Sequence, residues 1–151
     1  MPINLRDDLN DTIKAGGLHC EKELTMSIIS GKYKVVILWH LGHDGALRYG
    51  ELRKLFKDIS NRILTKQLRE MEQDYVVSRT IIAESRLKVE YSLTDIGRSL
   101  LPIVDSIYEW GREHLAFYIE KEKIETERGR EEGPRSLRIA SAAKGTKGDV
   151  L

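Results

Sequence analysis

Between Gly31 and Leu93 the spacing of apolar residues changes period, and that change constrains the fold more than any other feature of the chain. Up to Gln73 the apolar side chains recur three and four residues apart, the repeat of amphipathic helices. From Tyr75 they run as β-branched residues or alternate with polar ones, the repeat of strands. A chain patterned in this way packs short helices against a small hairpin.

The helical part divides at its glycines. Leu24, Ile28 and Ile29 predict a helix from Glu21 to Ser30 that Gly31 stops, and a second runs from Lys32 to about Leu41, ended by Gly42 and Gly45. Leu47 to Phe56 reads as a third, with Tyr49, Leu52, Leu55 and Phe56 inside and Arg48, Arg53, Lys54 and Lys57 outside. Ser60 is suited to cap the next helix because its hydroxyl accepts from an orphan amide of the first turn. That helix, Asn61 to Gln73, sets Ile63, Leu64, Leu68 and Met71 on one face and Asn61, Arg62, Thr65, Lys66 and Arg69 on the other.

Tyr75 to Ile82 and Leu87 to Leu93 predict two strands joined by Ala83 to Arg86. Thr94 then caps one long helix through Ile96, Leu100, Val104, Trp110 and Leu115, bent by Pro102 inside it. Residues 1–18 hold few large apolar side chains and read as a flexible, irregular arm. Residues 121–151 read as a charged, disordered tail, which leaves one domain over 19–120.

The formal net charge is only +1, yet it is unevenly spread. Residues 31–70 carry nine Lys and Arg against four Asp and Glu, whereas residues 71–120 carry five against nine. A basic middle between acidic flanks marks where a polyanion docks. The longest apolar run, Val35 to Trp39, is far too short to span a bilayer, and the polar start MPINLRDDLND does not resemble a secretory signal; both predict a cytoplasmic protein without membrane contact. A single cysteine, Cys20, offers neither an intrachain disulfide nor a zinc cluster, and His40 and His43 lack further ligands in the pattern. With no phosphate loop, HExxH or nucleophile–His–Asp order, nothing points to an enzyme or a cofactor.

Three helices, a hairpin and a further helix form the element order of a winged helix-turn-helix, mainly α with a small β-hairpin. In that geometry the last of the three helices between Lys32 and Gln73, Asn61 to Gln73, enters the major groove of double-stranded DNA. Asn61 has the chemistry to pair adenine, Arg62 and Lys66 to reach guanine or phosphate, and Thr65 to bond a base or cover a thymine methyl. Ser60 and Arg69, at the ends of that face, and Arg48 and Arg53, on the preceding helix, are placed for the backbone. The competing reading is the same fold used as a protein-interaction module without DNA.

Cys20, eleven residues before Gly31-Lys32, is followed in order by ILWHL, LRYGELRK, IS-x-x-x-LT-x-QLRE-ME, VEYSLT-x-IGRSLLPI and EWG-x-x-H. This ordered series resembles the HxlR-type family of bacterial winged-helix transcriptional regulators, over roughly residues 18–115. The resemblance implies a homodimer on a pseudo-palindromic operator, built through the N-terminal and long C-terminal helices. It puts Ser60, Thr65, Lys66, Gln67 and Arg69 on the recognition helix and Lys88 on the wing. It also implies an input through Cys20, a thiol sensor of oxidants or electrophiles, beside the alternative of a half-buried structural cysteine. The chain departs from the family pattern with Tyr33 in place of Trp, Glu21 in place of Pro, Tyr75 in place of Gly, and no Pro before the VEY segment.

Overall fold

Helices dominate the first half of the chain, as the spacing requires, and the hairpin follows them. The computed structural model describes residues 5–17, 19–83 and 88–132. In order the elements are α1 (Asp7–Lys14), α2 (Glu21–Ile29), α3 (Lys34–His43), β1 (Leu47–Arg48), α4 (Tyr49–Leu55), α5 (Asn61–Gln73), β2 (Val77–Ala83), β3 (Lys88–Leu93), α6 (Asp95–Ser99) and α7 (Leu101–Glu132). The chain divides into a unit over residues 1–107 and a second from Tyr108 onward.

The core of the first unit forms where the apolar stripes meet: Ile37 and Leu38 of α3, Leu52 of α4, Leu64 and Leu68 of α5 and Val104 of α7 are all essentially inaccessible to solvent. Each such side chain contributes about 1.5–3 kcal/mol by leaving water, so this cluster holds α5 in place. Ser60 caps α5 as expected, accepting from the Ile63 amide at 3.2 Å. Ile63 itself lies at the edge of the apolar stripe and is 45% exposed, outside the face the spacing gave it.

Four further expectations need correction. The segment over residues 1–18 is not irregular throughout, for it contains α1, whose first-turn Asp7 and Asp8 suit the positive helix N-terminus and whose Leu9 is buried. The hairpin gains a third strand, because Leu47 and Arg48 pair with Tyr91 and Glu90 before α4 begins at Tyr49; the sheet order is β1-β3-β2, all antiparallel. Thr94 caps only the five-residue α6, accepting from Gly97 at 3.0 Å, and a break at Leu100 separates α6 from α7. Pro102 is therefore in the first turn of α7, where a missing N–H leaves no helical bond unmade, and does not sit mid-helix. Finally, α7 continues to Glu132, so residues 121–132 are helical; residues 133–151 lie outside the described residues, as do 84–87, where most of the expected connection between the strands falls.

The Val76 amide bonds the Met71 carbonyl at 3.1 Å and the Tyr75 amide bonds Glu72 at 3.0 Å, a Schellman closure with Tyr75 at the position that favours glycine. Tyr75 has φ 61°, left-handed backbone that a Cβ disfavours. Tyr75 is also the residue that stands in place of glycine in the pattern the chain resembles.

Candidate nucleic-acid interface

The outer face of α5 carries Asn61, Arg62, Thr65, Lys66 and Arg69, all exposed, with Ser60 exposed at its start. These are the residues the sequence nominated for reading bases and phosphate. Lys66 is loosely held, its Nζ 4.0 Å from Glu70, and its side chain is 72% exposed. Arg48 is exposed at the cap of α4, where its amide donates to Glu51 at 2.7 Å, and Lys88 is exposed at the start of β3, opposite Ala83.

Helix α4 is tied to this face by side chains as well as by core packing. Arg53 donates through Nε to Asn61 Oδ1 at 2.7 Å and through Nη1 to the Phe56 carbonyl. Tyr49 places its hydroxyl 3.2 Å from both the Asn61 carbonyl and the Thr65 hydroxyl. Arg53, nominated for DNA backbone, is thus at least partly occupied within the protein. Tyr49 was read only as an apolar contact, since its hydroxyl leaves no mark in a hydropathy pattern.

The inner side of α5 is less apolar than its stripe implies. Lys34 is buried and forms an ion pair with Glu70 at 2.8 Å. One of the nine basic residues of the middle segment therefore does not face solvent. Asp74, at the end of α5, has a fully buried side chain and meets Arg6 Nε at 2.7 Å, while Arg6 Nη2 donates to the Ser27 carbonyl at 2.7 Å. Burial pushes the Asp74 carboxyl above the ordinary carboxylate range, opposed by the bond and charge of Arg6 and by the charge of Lys34. Burial lowers Arg6, but its bond to Asp74 and that charge outweigh it, and the net direction is upward. Gln67, assigned to the recognition helix by resemblance, turns inward: its Oε1 is buried without a hydrogen-bond partner, and a Cβ on Gly31 would come within 2.7 Å of it. None of these partners is near in sequence, and no spacing rule would have joined them.

Cys20 occupies the N-cap position of α2, half-buried, and its side chain makes no capping hydrogen bond. Beside it the His19 amide donates to Glu23 at 2.9 Å. His40 and His43 are each paired, with Asp44 and Asp105, both at 2.7 Å. His114 lies mid-way along α7 and stacks on Trp110. Among the described residues no three His, Cys, Asp or Glu side chains are grouped to hold a metal, and no helix is long and apolar enough to cross a membrane.

A helix with a polar, basic outer face, carried on two packed helices and followed by a hairpin that β1 widens to three strands, defines the winged helix-turn-helix class of transcriptional regulator. The model of the HxlR-like helix-turn-helix family matches residues 28–118, and the chain belongs to that family. It is 44% identical over 89 residues to the HTH-type transcriptional regulator YdzF of Bacillus subtilis strain 168, spanning 59% of this chain and 82% of YdzF. With YdeP of the same organism it shares 45% over 95 residues, 63% of this chain and 73% of YdeP. Among solved structures, the redox regulator HypR in its reduced form aligns with a TM-score of 0.63 at 40% identity, covering 67% of this chain and 99% of that one. Its oxidised form aligns at 0.59 and 44% identity, covering 62% and 96%. Helix α1 and Arg6 lie before the matched region.

Proposed function

We propose that the protein is a cytoplasmic, homodimeric transcriptional regulator that binds a pseudo-palindromic operator, each protomer laying α5 in a major groove. The observation that carries this reading is the solvent-facing set Asn61, Arg62, Thr65, Lys66 and Arg69 on a helix whose other side is locked into the core. Arg48 and Lys88 flank it from α4 and the wing as phosphate contacts. Support for the dimer comes from α7, where Trp110, Leu115, Phe117 and Tyr118 are each more than half exposed, an apolar surface that a lone protomer leaves in water. Two-fold symmetry then sets the half-sites one or more helical turns of ~34 Å apart.

Lys66→Ala is expected to weaken operator binding, with a salt dependence shallower by about one unit of slope if it contacts phosphate. Arg62→Ala should cost roughly 1–3 kcal/mol if it reads a base. Gel shifts at a series of salt concentrations measure both. Unchanged affinity in both variants would return α5 to the role of a protein-interaction surface.

A second reading adds a thiol input through Cys20. It is supported by the half-buried cysteine at the start of α2 and by similarity to proteins described as redox regulators.

A further inference from the structure

We infer that Arg53 is a positioning residue that presets what Asn61 can read, so that Asn61 selects a keto base, guanine or thymine, and disfavours adenine. The inference rests on α5 being the reading helix.

The argument begins with what a guanidinium can do. Arginine has five N–H donors and no acceptor, so the atom of Asn61 that meets Arg53 Nε at 2.7 Å has to be the carbonyl oxygen Oδ1, however the amide is drawn. Arg53 is itself held by the Phe56 carbonyl in the turn between α4 and α5, which restrains the guanidinium at its other end. The group of Asn61 that Arg53 leaves wholly available is then its Nδ2 amide, a donor. Pairing adenine through two bonds needs Oδ1 and Nδ2 side by side along the base edge, the oxygen accepting from N6 and the nitrogen donating to N7. Oδ1 has two lone pairs and Arg53 occupies one, so adenine N6 has to share the oxygen with a guanidinium whose positive charge opposes the N6 hydrogens. A donor alone fits guanine, with O6 and N7 as neighbouring acceptors, or thymine with O4. Adenine sets its own N6 donors beside N7, where this arrangement offers only the oxygen shared with the guanidinium.

Thr65, one turn further along, is constrained by the same helix. Tyr49 has a single hydroxyl proton, and the arrangement in which both its contacts are favourable sends that proton to the Asn61 backbone carbonyl and takes the Thr65 proton in return. Both side chains at the start of the reading face are therefore held by α4 in defined hydrogen-bonding roles.

The test is selection from a library of randomised operators by the full chain and three variants. Asn61→Ala should flatten one position in each half-site, which marks the base that Asn61 reads. At that position the wild type should favour guanine or thymine over adenine by about fivefold, the equivalent of one net hydrogen bond of ~1 kcal/mol. Arg53→Met frees Oδ1 and should move the preference toward adenine, which a purely structural role of Arg53 would not do. Asn61→Asp keeps an oxygen on Arg53 and turns another outward, so the preference should pass to the amino bases cytosine and adenine; this variant decides the matter if Arg53→Met fails to fold. Adenine preferred by the wild type, no position flattened by Asn61→Ala, or a keto preference retained by Asn61→Asp overturns the inference while leaving DNA binding intact. A wild type that selects no sequence overturns the DNA reading itself, and this inference with it.

Discussion

Removing Arg6 tests whether α1 is part of the folded unit or an appendage to it. In Arg6→Ala the buried carboxylate of Asp74 loses the partner 2.7 Å away, its second oxygen already has none, and the Ser27 carbonyl loses a donor. Leaving one member of a buried pair unmatched costs roughly 3–5 kcal/mol. The protein can limit that cost by protonating Asp74. From an ordinary carboxylate value near 3.9, neutralisation at pH 7 costs about 1.4 kcal/mol per unit, a ceiling of ~4 kcal/mol. Lys34 still lowers the cost of the charge, so we expect a loss of about 3 kcal/mol.

The pH dependence follows from the direction of the Asp74 shift. Burial raises its folded value above the unfolded one, so the folded chain holds the proton more tightly. Stability is lost as pH rises through that interval, and the loss is absent below the unfolded value. Without Arg6 the interval widens, so the difference between Arg6→Ala and wild type should be largest at pH 7 and shrink toward ~pH 4.5. Urea denaturation at fixed protomer concentration, followed by circular dichroism at both pH values, measures it. Adding Asp74→Asn to Arg6→Ala should recover most of the loss at pH 7. A deficit below about 1 kcal/mol, or one independent of pH, would refute the reasoning.

Two further outcomes follow from single positions. A Cβ at Gly97 would stand 2.0 Å from the Val76 carbonyl oxygen, so Gly97→Ala has to push α6 off the sheet and should cost about 1–3 kcal/mol by thermal or urea unfolding; an unchanged midpoint would mean that this contact yields freely. If Cys20 is a sensor, a thiol oxidant should alter the DNA affinity of the wild type and leave Cys20→Ser unaffected, while equal responses in the two would make it a structural residue.

Much of this fold was legible because its signals are local. The cap at Ser60, the stripe Leu64, Leu68 and Met71, and the strand period through Leu93 each depend on residues within one or two turns of one another. β1 escaped because Leu47 and Arg48 abut a helix and pair with Tyr91 and Glu90, far along the chain. α1 escaped because it contributes one buried leucine and is anchored by an ion pair to Asp74, which composition does not register. At the candidate interface the exposed readers were visible from helical spacing. What each presents depends on Tyr49 and Arg53 from another helix, and hydropathy assigns neither of them such a role.

The two sides of α5 therefore solve different problems. An apolar stripe attracts without direction, and would tolerate a helix rotated by some tens of degrees or slid along its groove. Hydrogen-bonded ion pairs do not, since Lys34 meets Glu70 and Arg6 meets Asp74 only when the helix is at one angle and one height. Such pairs contribute little net stability beside an apolar replacement, because each charge has lost its water. Their effect here is geometric: with the inner side indexed at Glu70 and Asp74, the outer side can be held at Asn61 and Thr65 by α4 without competition from the core. A helix constrained on both sides presents the same atoms to every ligand, which is the physical requirement for discriminating bases by single hydrogen bonds.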